Sequence, residues 1–121
     1  MKVICFGDSN TWGYDPRSFL GDRYDRPWPE YLGELTGWEV VNAGSCGRRV
    51  PRQAVELPAD ADLVLVMLGT NDLLNGDEPE DIAVRMEEFF ENPRTRPRGP
   101  DSPARPLPGR MGRLRRAGPP L

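Results

Sequence analysis

Ser9 stands in the run Phe6-Gly7-Asp8-Ser9-Asn10-Thr11-Trp12-Gly13, directly after the apolar stretch Val3-Ile4-Cys5. A hydroxyl there sits where a first strand turns into a loop, at the C-terminal edge of a sheet, which is where open α/β sheets hold their ligands. Two further polar blocks, Asn42-Ala43-Gly44-Ser45-Cys46-Gly47-Arg48 and Gly69-Thr70-Asn71-Asp72, stand in the same relation to apolar runs. A serine hydroxyl does acyl-transfer chemistry when a base takes its proton and hydrogen-bond donors face the oxyanion that forms. Each block alone has an ordinary explanation, since Ser and Asn after a strand usually cap or form turns. Their common placement at strand ends points to one shared site.

The three blocks in this order resemble the SGNH (GDSL) hydrolase family of esterases and acyltransferases. The stretch from Cys5 to Gly13, taken with Leu68-Gly69-Thr70-Asn71-Asp72, is most similar to the arylesterase and acyltransferase branch. The resemblance implies Ser9 as nucleophile, attacking an ester carbonyl to give an acyl-enzyme, and as one oxyanion donor through its backbone N–H. It implies Gly47 as a second donor through its N–H, where the missing side chain lets a carbonyl approach the main chain, and Asn71 as a third through its side-chain amide. Gly44 competes for the second role and reads as a turn residue. Trp12 could wall the substrate pocket or pack beneath the loop. Asp8 and Asp72 read as acceptors for loop N–H groups rather than as bases. The implied partner is a small-molecule ester, with no cofactor and no metal. A phosphate-loop reading fails for want of Gly-Lys-Ser/Thr.

One departure from the family pattern is severe. That family takes its general base from an Asp-x-x-His block near the C-terminus, and this chain has no histidine. Beyond Glu91 only Asp101 is acidic, and where histidine would follow it stands Ala104. Triad members act as a unit, so loss of the base leaves only about 10³- to 10⁴-fold catalysis over water. The expectation is a GDSL-type serine esterase crippled by truncation before that block, with two further strands and their helices missing. The alternative is a non-catalytic remnant that binds acyl or aryl ligands, or a partner chain.

The elements that must position the blocks follow from periodicity. Lys2 to Phe6 reads as a buried strand, Trp38 to Val41 as a second and Leu63 to Leu68 as a third. Runs apolar on both faces suit parallel strands covered by helices. Pro29 at a first helical position, Tyr31, Leu32 and Leu35 on one face and Gly37 as a stop predict a short helix. Arg17 to Arg26 reads as a loop. From Asp77 the pattern turns helical, with Pro79 at the start and Ile82, Met86, Phe89 and Phe90 as the apolar set. The order implies a doubly wound, three-layer α/β/α parallel sheet of the flavodoxin-like SGNH kind, here incomplete. Self-association through an open edge of the third strand is expected.

Charge divides the chain at Asn92-Pro93. Residues 1–92 carry 18 of the 19 acids and 8 of the 16 bases, a net of −10, whereas residues 93–121 carry one acid and eight bases, a net of +7. Eight of the 14 prolines also fall in that last segment, where every base is Arg. Such a composition buries too little apolar surface to offset its ordering entropy. Residues 93–121 therefore read as a disordered tail behind an N-terminal hydrolase part at 1–92, and their Arg, Pro, Gly and Ala content suits a GC-rich gene read out of frame. A nucleic-acid-binding arm is the weaker reading, because the segment has no aromatic residue and no Lys. Two cysteines make neither a disulfide framework nor a metal cluster. The N-terminal apolar run is too short for a signal sequence or a membrane span, and a soluble cytoplasmic protein is expected.

Overall fold

The computed structural model describes residues 1–95. Along them run β1 (Lys2–Gly7), α1 (Ser9–Trp12), α2 (Trp28–Thr36), β2 (Glu39–Gly44), β3 (Leu63–Met67), α3 (Thr70–Leu74) and α4 (Pro79–Glu91). All pairings are parallel and the strand order is β2-β1-β3. The register levels the three C-terminal ends: Gly7 lies opposite Gly44 on one side and Met67 on the other.

As the central strand, β1 is buried on both faces, from Val3 to Phe6. Alternation sends Ile4 and Phe6 to one face and Val3 and Cys5 to the other. Over the first face lies α4, where Phe6, Val50, Ile82 and Phe89 form the core with Val64, Val66, Leu68 and Met86 against them. The Phe6 and Phe89 rings stack with centroids 5.5 Å apart, a contact worth about 0.5–1.5 kcal/mol beyond its buried area. On the second face α2 packs against β2, with Gly33 beside Val40. Helices on both faces and the order 2-1-3 make this the doubly wound α/β/α arrangement. The connection 45–62 has no helix, but it contributes Val50, Val55 and Leu57 to the α4 side of the core.

Several expectations need correction. Pro29 is the second residue of α2, not the first, behind Trp28 and the N-cap Pro27; the first turn tolerates this because those N–H groups have no helical acceptor. Tyr31 and Leu35 do not face inward: they are 48% and 71% exposed, and Pro29 is the buried residue. Gly33 lies on the side of α2 that faces Val40 of β2, and the Arg26 guanidinium lies over the Tyr31 ring. The second strand starts at Glu39 rather than Trp38 and runs on to Gly44, so Gly44 is a strand residue and not a turn residue. Helices α1 and α3 went unforeseen because four or five residues are too few to show a period.

The packed chain also runs past the change of composition at Asn92. Asn92 Oδ1 accepts the Arg94 N–H at 2.9 Å, Thr95 N donates to the Asn92 carbonyl, and Thr95 is buried. Residues 96–121, with the rest of the expected tail and Asp101 and Ala104, lie outside the described residues. Among the described residues β3 is an edge strand, with Leu63 and Met67 partly exposed. No helix among them is long and apolar enough to cross a membrane.

Candidate active site

Ser9 is the first residue of α1, two positions beyond the end of β1. The turn is tight because Asp8 caps the helix twice: its side chain accepts the Asn10 N–H at 2.9 Å and its carbonyl accepts those of Thr11 and Trp12. Asp8 is buried and committed to this capping, the tying role the sequence suggests. Gly7 permits the return of α1, since a Cβ there would lie 2.2 Å from Thr11 Oγ1. Ser9 is half-buried. As the first helical residue its N–H has no acceptor among the described residues.

Gly47 lies in a tight turn beyond β2. Arg48 N donates to the Ser45 carbonyl at 3.2 Å, and Gly47 has φ +80°, the third-position geometry of a type II turn that favours glycine. The turn bond uses the Arg48 amide, and the Ser45 amide goes to the Gly7 carbonyl at 3.0 Å. The exposed Gly47 N–H is left without an acceptor among the described residues. Gly44 differs, because its N–H is bonded to Asn42 Oδ1 at 2.9 Å. Asn42 also reaches α1 through Nδ2 to the Thr11 carbonyl at 2.9 Å.

Asn71 is the second residue of α3, four positions beyond Met67 at the end of β3. Its Nδ2 donates to the Arg48 carbonyl at 3.0 Å, which brings the third block onto the second. An amide nitrogen carries two hydrogens, so one remains for another acceptor. Next to it Asp72, buried, accepts the Val50 N–H at 3.1 Å and meets Arg85 at 3.3 Å. Asp77 binds Arg85 at 2.8 Å and Arg49 at 2.5 Å, and the Arg49 hydrogen bond holds its carboxyl below the usual carboxylate range. Arg23 lies over the half-buried Trp12 ring, 4.9 Å from its centroid, and donates from Nε to the Trp12 carbonyl at 2.9 Å.

The three blocks therefore meet at one end of the sheet, each just beyond a strand end that the register holds level. Periodicity and motif reading missed Arg48 and the pair Arg49 and Arg85, whose only signal was basic residues within or facing the blocks. No group of three or more His, Cys, Asp or Glu side chains among the described residues is placed to hold a metal ion.

Comparison with known proteins fits this arrangement. The model of the GDSL-like lipase/acylhydrolase family matches residues 5–118. A carbohydrate acetylesterase family member from Sinorhizobium meliloti is similar at 26% identity over 82% of this chain and 55% of its own, with a TM-score of 0.64. The native aryl esterase of M. smegmatis gives 27% identity, 85% and 60% coverage and a TM-score of 0.60. A member of the lipolytic protein G-D-S-L family from Veillonella parvula DSM 2008 gives 29%, 75% and 51%, and 0.57. The chain spans 51 to 60% of the length of these three structures. No curated protein matches it. With its three blocks gathered at the strand ends of a parallel sheet and the family match running through all of them, the chain belongs to the GDSL-like lipase/acylhydrolase family.

Proposed function

We propose that this chain carries the nucleophile and oxyanion half of a serine esterase site. Ser9 Oγ adds to an ester carbonyl carbon, the carbonyl π electrons move onto oxygen, and the Ser9 N–H, Gly47 N–H and Asn71 Nδ2 receive that oxyanion. Collapse of the adduct expels the alcohol, which takes up the proton Ser9 gave, and leaves an acyl-enzyme. The observation that carries this reading is the set of donors beyond three level strand ends: two N–H groups without an acceptor among the described residues and an amide with one hydrogen to spare. Preorganised donors of this kind are each worth about 10²- to 10³-fold in rate.

No histidine is present to move the Ser9 proton, so acylation of this chain is slow. The test is a fluorophosphonate probe, followed by mass spectrometry over hours. Slow labelling that disappears in Ser9→Ala supports the reading, and labelling unaffected by Ser9→Ala sinks it. Labelling as fast as a complete triad would show a different base at work.

A second reading follows from the β3 edge, where Leu63 and Met67 are exposed. An apolar strand with unpaired main-chain groups is a template for another chain, and a partner, or a second copy, pairs there.

A further inference from the structure

Arg48 touches all three blocks. Its Nη1 donates to the Ala43 carbonyl at 2.5 Å and to the Gly7 carbonyl at 3.2 Å, the main-chain oxygens at the ends of β2 and β1. The guanidinium lies 4.0 Å from the Phe6 ring centroid, and Phe6 in turn is stacked on Phe89, so the head group rests on the core rather than in solvent. Its main-chain N–H closes the turn that holds Gly47 at positive φ. Its carbonyl accepts the Asn71 amide at 3.0 Å.

We infer that Arg48 is a positioning residue for acyl transfer, holding the Gly47 turn and the Asn71 amide in register with Ser9; this rests on the esterase reading above. A planar guanidinium suits the task because one nitrogen supplies two hydrogens to two carbonyls while the flat face stacks on an aromatic ring. Lysine could bond to the carbonyls but has no face to lay on Phe6. Burial holds the Arg48 ionisation below its ordinary range. Two carbonyls and a ring face offset that burial, which makes the charge part of the scaffold.

The experiment uses the full chain, with fluorophosphonate labelling of Ser9, the amide NMR signals of Gly47 and the Asn71 side chain, and denaturant midpoints for folding. Arg48→Ala is expected to stay folded, to move both signals, and to label about 10- to 100-fold more slowly, the scale of a roughly 1 Å misplacement. Added methylguanidinium at low millimolar concentration restores part of the rate, which a purely structural loss would not allow. A folded Arg48→Ala that labels Ser9 at the wild-type rate overturns the inference. Should Arg48→Ala fail to fold, Arg48→Lys decides it: slowed labelling in a folded protein supports positioning, and an unchanged rate overturns it. If wild-type labelling is independent of Ser9, the esterase reading falls by itself. The two NMR signals then decide the role of Arg48, and signals unmoved in a folded variant overturn it.

Discussion

Gly44 lies against the backbone of Trp12 so closely that a Cβ on it would stand 2.2 Å from the Trp12 nitrogen. The end of β2 and helix α1 are thereby held in contact, and with them the second block and Ser9. Because the obstacle is main chain, no side-chain rotation relieves it. Gly44→Ala is therefore expected to cost at least the 1–3 kcal/mol or so of overpacking. In Gly33→Ala the new Cβ meets Val40 Cγ2 at 3.4 Å and the Trp38 carbonyl at 3.5 Å, ordinary contacts in a helix interior, so the change should be neutral or stabilising by up to about 1 kcal/mol. Denaturant midpoints compare the two. Equal midpoints would mean that α1 does not sit on β2 as described.

The cysteines separate buried from exposed chemistry. Cys5 is buried in β1, and burial pushes its thiol up to about 11, whereas Cys46 is exposed beside Gly47. Iodoacetamide at neutral pH is expected to modify Cys46 alone in the native chain and both thiols after unfolding. Rapid native modification of Cys5, read by peptide mass spectrometry, would show that the central strand is open.

Asp72 satisfies the Val50 amide and Arg85 from a buried position. Asp72→Ala leaves the buried Val50 N–H without its acceptor and Arg85 with Asp77 alone. The expected loss is about 1–3 kcal/mol, the cost of leaving a buried donor unsatisfied. Asp72→Asn keeps an acceptor for Val50 and should cost less. The reverse order in thermal unfolding would assign the residue a different role.

Asp77 gives a pH signature. Its folded-state ionisation lies below the usual carboxylate range because Arg49 donates to it, with Arg85 and Arg52 nearby. A depressed folded value means that the ion pair's contribution is whole above the unfolded value of about 3.9 and is lost as pH falls through the folded one. Asp77→Asn is thus expected to be less stable than wild type at neutral pH, and the difference should close as pH drops from about 5 toward 2. A stability gap independent of pH would argue against ionic pairing.

The β3 edge gives a prediction about association. Met67 is 48% exposed on β3, which carries no charged residue to discourage pairing. Sedimentation velocity is expected to show concentration-dependent assembly, suppressed by Met67→Lys. A wild-type chain that stays monomeric across the concentration range would refute pairing through β3.

The pattern of residues alone located the three strands within a few positions, the α4 apolar set and the three blocks, because alternation, helical period and glycine-marked turns are local properties. That the given sequence contains no histidine is likewise a matter of composition. Register is not local. That Gly7, Gly44 and Met67 end level depends on pairing across as many as 60 residues, and only that pairing brings the loops bearing Ser9, Gly47 and Asn71 to the same edge. The side chains that stitch those loops were equally invisible. Arg48 is in sequence only the last residue of the second block, and it becomes a bridge when β1, β2 and the Phe6 ring close around it. Tyr31 and Leu35 show the converse: spacing sets them on one face of α2, yet both are exposed, while Pro29 is buried and Gly33 is the residue beside Val40. Local pattern proposes an apolar stripe, and close packing with the neighbouring element chooses the rotation at which it is used.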